Sequence, residues 1–215
     1  MAGPAAMAPV DFERPIDRDH ELRSVATVRF LDLPSRRCVM IDGEGPPDPA
    51  VFATRMPGLY ATAWTLRFAL KRRGIVTRVG PLEGLWWTLD GRTDLDQIFG
   101  TDRTAGRETW RWTLFIATPD EATDAELDAA LSAGRAKLEP GLASGLRVEP
   151  FAEGHVAQVL HRGPYATERA TIERLHATIE EAGLRPRDRH HEIYLGIPGR
   201  GAPERLKTIL RQPVA

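Results

Sequence analysis

Arg189-His190-His191-Glu192-Ile193-Tyr194-Leu195 reads as a β-strand. β-Branched and aromatic residues alternate with period two, and Gly196 and Pro198 close the run. That period places His190, Glu192 and Tyr194 on one face and His191, Ile193 and Leu195 on the other. A carboxylate between an imidazole and a phenol in mid-strand is costly if buried without a partner. The face is therefore either wet or the place of Glu192's chemistry.

A second segment has a similar pattern. Pro81-Leu82-Glu83-Gly84-Leu85-Trp86-Trp87 also reads as a strand, with a Glu near its start and aromatics just beyond. The two halves of the chain correspond elsewhere too. Ile41-Asp42-Gly43-Glu44-Gly45-Pro46 resembles Val159-Leu160-His161-Arg162-Gly163-Pro164, and each runs from an apolar strand through Gly-Pro into a helical pattern. Repetition of this kind fixes architecture. The expected fold is α+β, built from duplicated strand-helix-strand-strand units with pseudo-two-fold symmetry and a central ligand cleft. On that expectation Glu83 and Glu192 take equivalent places and face each other across the cleft.

Working outward, residues 1–22 are Ala/Pro-rich, then charged, and read as a mobile tail with little apolar surface to offset ordering. Residues 23–215 read as one duplicated domain. The first repeat spans about 25–118, a linking helix about 124–138 opens on the capping pattern Thr123-Asp124-Ala125-Glu126, and the second repeat spans about 146–214. The first strand breaks at Pro34. The regular part of the first long helix is expected to begin at Pro57, since proline suits a first turn. Asp90 to Glu108 reads as a loop that could serve as a flap. Leu206–Arg211 reads as a strand partnering the Trp110 strand, with a short helix from Pro203 as the rival reading.

The 215 residues are 42% hydrophobic and carry a net charge of −1. No basic field is present to hold nucleic acid. No apolar run is long enough to span a membrane, and no secretory leader is evident. The single cysteine, Cys38, excludes an intrachain disulfide and suits a reducing compartment, so a cytoplasmic protein is expected. Adjacent histidines on a strand point to opposite faces, and helical His-Glu-x-x-His spacing is lacking, so no metal and no cofactor are expected.

The set Gly43-x-Gly45-Pro46, Leu59-Tyr60, Pro81–Trp87, Trp110-x-Trp112, Gly154-x-Val156-x-Gln158, His161-x-Gly163-Pro164-Tyr165, His190–Leu195 and Leu206–Val214 resembles the GyrI-like small-molecule-binding family, in particular its stand-alone members. The resemblance implies a ligand cleft at the dyad with Glu192 at its base. It also implies one of three activities. Some stand-alone relatives are cyclopropanoid cyclopropyl hydrolases, relatives fused to DNA-binding domains sense drug-like cations, and others bind a protein partner, gyrase. Gly196-Ile197-Pro198 departs from the usual pattern, as does Met56-Pro57.

For hydrolysis, one protonated and one ionised carboxyl are needed, and two close carboxyls in an apolar cleft titrate unequally. Glu83 and Glu192 are the catalytic candidates. Tyr60, Trp64, Trp86, Trp87, Trp112, Tyr165 and Tyr194 are candidates to hold a planar, hydrophobic aromatic ligand. A non-catalytic binder of aromatic cations would use the same rings with one carboxylate.

Overall fold

The computed structural model of the protein describes residues 9–23, 25–88, 110–196 and 202–215. The 90–108 segment and Ile197–Pro198 lie outside the described residues. The described residues form eight strands: β1 (Arg29–Leu33), β2 (Arg36–Glu44), β3 (Leu82–Thr88), β4 (Trp110–Ala117), β5 (Arg147–Phe151), β6 (Gly154–Arg162), β7 (His190–Tyr194) and β8 (Lys207–Pro213). They form one antiparallel sheet in the order β1-β6-β8-β7-β3-β4-β2-β5. Exchanging β1 with β5, β2 with β6, β3 with β7 and β4 with β8 reverses this order. The pseudo-two-fold therefore passes between β3 and β7, and the duplicated α+β fold is observed.

The break at Pro34 has a topological purpose. β1 pairs with β6 of the second half, whereas β2 stays with β4 and takes β5 on its outer edge. Each half thus lends its first strand to the other. β8 pairs with β6 and β7 and not with the Trp110 strand, which lies between β3 and β2. β8 is instead the dyad counterpart of β4. A 3-10 turn at Pro203–Arg205 precedes it.

Helices α2 (Pro49–Arg72) and α5 (Arg169–Glu181) pack on one face of the sheet. Leu59 and Ala63 of α2 bury against Ile41, Trp112 and Leu114, while Ile172, Leu175 and Ile179 of α5 bury against Ala157, Val159 and Leu210. α2 does not begin at Pro57. It begins at Pro49, where the Asp48 carboxylate accepts from the Ala50 N–H, and runs unbroken through Pro57. Pro57 and Ala53 are both exposed, so water can satisfy the carbonyl that proline leaves without a donor. Helix α3 (Asp124–Arg135) has the expected capping box on Thr123 and Glu126 and ends three residues short of Leu138. The short α4 (Pro140–Ala143) follows it.

Among the described residues, no long helix covers the other face of the sheet. Residues assigned to a mobile tail cover part of it. Glu13 bridges Leu31, and Asp17 caps α1 (Arg18–Glu21). Glu21 is buried, with 1% of its surface exposed. Charge orders this segment at Glu21, and Phe12, packed on Phe30 and His155, holds its other end. Among the described residues no helix is long and apolar enough to cross a membrane.

Candidate functional site

Directly paired residues in an antiparallel ladder share a face. Gly84 pairs with Glu192, Trp86 with His190 and Leu82 with Tyr194. Glu83 instead pairs with Ile193. The two carboxylates expected to meet therefore lie on opposite faces of the sheet. Aligning Glu83 with Glu192 by sequence slips the structural correspondence by one residue, and a one-residue slip moves a side chain to the other face.

Glu192 lies on the helix-bearing face with its side chain 12% exposed. Tyr194 donates its hydroxyl to Glu192 Oε2 at 2.8 Å. The glycine opposite leaves room for this pair, since a Cβ on Gly84 would stand 3.1 Å from the Tyr194 hydroxyl. Trp86 lies alongside, with its ring 5.9 Å from Trp110 and 6.4 Å from Trp112. Phe52 of α2 meets Trp112 edge-on at 4.9 Å, and Tyr60 packs half-buried on the same cluster. Tyr165, 39% exposed, stands edge-on to Tyr194 at 5.9 Å.

The second carboxyl of this site is Glu168, which the sequence reading passed over. It stands at the start of α5 and is buried. Burial pushes its carboxyl far above the ordinary range, and the Glu192 charge pushes it further. A hydrogen bond from Thr208 pulls weakly the other way. Burial also raises Glu192, but less, because the Tyr194 hydroxyl stabilises its ionised form. Burial, then the charges of both acids, push the Tyr165 phenol up to about 12, so this ring senses the pair. The arrangement holds two unequal carboxyls beside two phenols under an aromatic wall. Both carboxyls are pushed toward their protonated forms, Glu168 the more strongly.

His190 lies on this face beside the pair. It is fully buried, its Nε2 is 3.8 Å from Glu192 Oε1, and burial lowers its pKa to about 3, so it is a neutral imidazole. Among the described residues neither ring nitrogen has a hydrogen-bond partner.

Other expected ligand-binding residues fall elsewhere. Trp64 is 43% exposed on the outer side of α2, stacked on Phe68 at 5.9 Å with Arg67 over both rings. Trp87 lies on the Glu83 face, with the Arg189 guanidinium 3.8 Å from its ring centroid. Alternation along β3 requires this, because Trp86 and Trp87 cannot share a face.

Glu83 belongs to a buried ionic network. It accepts from Arg18 and, at 3.1 Å, from His191 Nε2. His191 Nδ1 lies 2.9 Å from Glu153, and Arg211 reaches Glu153 at 2.8 Å and Glu21 at 2.7 Å. Although burial opposes its charge, the Arg18 guanidinium and His191 hold Glu83 down at about 2. A carboxyl so held is a structural counter-ion rather than a proton donor. The thiol of Cys38 on this face is pushed up out of reach by burial, which makes it inert. Among the described residues no cluster of three or more His, Cys, Asp or Glu could hold a metal.

Residues 113–215 match the GyrI-like small molecule binding domain. An uncharacterized conserved protein from Listeria innocua is similar at 31% identity, over 92% of this chain and 97% of its own, with a TM-score of 0.76. A hydrolase from Listeria innocua is similar at 30% identity, over 91% of this chain and 95% of its own, with a TM-score of 0.70. The C-terminal domain of EcmrR, at 13% identity, 88% and 97% coverage and a TM-score of 0.55, shares the fold. No curated protein matches the chain. Relatives alike along nearly their whole length, and the domain signature on the second half, give one conclusion: the chain belongs to the family of GyrI-like small-molecule-binding domains.

Proposed function

We propose that the helix-bearing face binds a planar aromatic small molecule and hydrolyses a strained ring in it, as in cyclopropanoid toxins, with Glu168 as acid and Glu192 as base. The observation that carries this reading is the placing of two acids on one face, Glu168 buried and Glu192 with its side chain 12% exposed and bonded to the Tyr194 hydroxyl. The substrate class is a cyclohexadienone fused to a cyclopropane. Water adds its oxygen to the cyclopropane methylene, one ring C–C bond breaks, and its electron pair flows to the carbonyl oxygen as the ring becomes a phenol. Glu192 takes the proton of the water, and Glu168 gives its proton to the oxygen. Tyr165, near both acids, can donate to that oxygen as charge develops there. Tyr165, exposed on this face, and the half-buried Tyr60 supply the rings against which a flat ligand packs, with Trp86 and Trp112 buried behind them. A hydrolase among the relatives at 30% identity supports this chemistry.

Incubation with a cyclopropanoid, followed by mass spectrometry, should show product heavier by one water. Glu192→Gln should keep ligand binding and lose turnover by at least about 10²-fold, the scale of general-base contributions. Full turnover in that variant would remove Glu192 from the mechanism.

A second reading rests on the 12% exposure of the Glu192 side chain beneath aromatic rings. A carboxylate so placed holds an aromatic cation without reacting with it. Binding that persists in Glu192→Gln with no product from the native chain would favour retention of neutral aromatics, and binding lost in that variant would favour cations.

A further inference from the structure

The face opposite the proposed site contains a carboxylate cradle filled by the chain itself. Glu21 lies on α1, and its carboxylate is fully buried. Arg36 donates to Oε2 at 2.6 Å, and Arg211 donates to Oε1 at 2.7 Å. Arg18 of the same helical turn also contacts Oε1. Arg211 is held in place independently of Glu21. Its Nε donates to Gln158 at 3.0 Å and its Nη1 to Glu153 at 2.8 Å. Two guanidiniums fixed on strands of different halves thus converge on one carboxylate delivered by a short strap. Such pairs are rigid forks suited to a planar oxyanion. The free cavity beside them is only about 10 Å³, about the size of one water, so nothing else enters while Glu21 is in place.

We infer that Arg36 and Arg211 form a binding site for a small carboxylate, occupied in cis by Glu21, and that the segment carrying Glu21 is a latch on that site. The structure of the strap supports a separable ligand. Next to Glu21 its contacts are polar: Gln158 donates to the Glu21 carbonyl at 2.7 Å, and Arg29 donates to the carbonyls of His20, Glu21 and Arg23, while Phe12 at its far end packs on Phe30 and His155. Removing the Glu21 carboxyl leaves the buried Arg211 with less compensating charge and the partly buried Arg36 short of a counter-ion, and a guanidinium so placed recruits one.

Glu21→Ala deletes a methylene and a carboxylate, which together make up acetate. Acetate is therefore the probe. Thermal melts of the full chain would compare acetate with chloride at equal ionic strength for wild type, Glu21→Ala and Glu21→Gln. Acetate should raise the midpoint of Glu21→Ala by at least about 2–4 °C over chloride, with the gain saturating as acetate is increased. Wild type and Glu21→Gln, whose cradle remains filled, should not respond. Should Glu21→Ala fail to fold in chloride, the soluble yield on refolding becomes the readout, and acetate should raise it several-fold. An acetate response no larger than that of wild type, or one shared by Glu21→Gln, would overturn the site and leave Glu21 as a fixed structural ion.

Discussion

At the scale of single residues, two glutamates on opposite faces of the sheet have opposite electrostatic settings. Glu83 is pinned to its charge by Arg18 and His191, whereas Glu168 has its charge disfavoured by burial and by Glu192. The second setting has a stability consequence. The folded pKa of Glu168 lies above its unfolded value near 4.5, so its contribution is present in full below that value and is lost as pH rises through the folded pKa. Glu168→Gln cannot titrate. It should melt about as wild type does at pH 5 and at least about 2–4 °C higher at pH 10, while losing the proposed acid. Differential scanning calorimetry at the two pH values checks this. The residue was within reach of sequence reasoning. Glu168, Ile172, Leu175 and Ile179 recur at helical spacing, so the stripe that marks the buried side of α5 begins with a carboxylate.

At the scale of elements, the fold depends on how closely α2 and α3 cross. A Cβ on Gly134 of α3 would stand 2.7 Å from the Gly58 carbonyl of α2 and would also collide with the Thr62 hydroxyl, which donates to that same carbonyl at 2.9 Å. Backbone cannot retreat as a side chain can, so Gly134→Ala should cost about 1–3 kcal/mol, measured by denaturant unfolding. The elements were legible where local chemistry dictates them. The capping box of α3, the Gly-Pro turns ahead of both long helices and the alternation of β7 all stand in the sequence as read. What local pattern does not contain is register. Two strands with similar motifs align by eye at Glu83 and Glu192, but the ladder sets Gly84 opposite Glu192. That one-residue difference separates a supposed acid pair by the thickness of the sheet. The strap was missed for a related reason. Arg18 and Glu21 look like ordinary solvated charges, and their partners Glu83 and Arg211 stand 65 and 190 residues away.

At the scale of the whole molecule, the charged face ties the halves together. His191 of β7 lies between Glu83 of the first half and Glu153 of the second. Burial opposes its charge, but these two carboxylates raise its pKa above the ordinary histidine value. Its contribution is therefore complete below about 6.5, the unfolded value, and fades as pH rises through the folded one. Glu83 acts in the other sense, with stability present above its unfolded value and lost as pH falls toward about 2. His191→Gln should flatten the alkaline decline in melting temperature and leave the acid limb dominated by the carboxylates. Melting curves from pH 4 to 10 on both proteins check this.

The exchange of first strands also bears on where this protein can be cut. β1 covers the outer edge of β6, and β5 covers the outer edge of β2. Severed between α3 and β5, either fragment would leave its borrowed rim behind and expose a row of bare amides and carbonyls, a template for self-association. The 113–215 stretch that bears the domain signature would lack both β1 and β2 if expressed alone, and should precipitate or assemble rather than fold as a free-standing module.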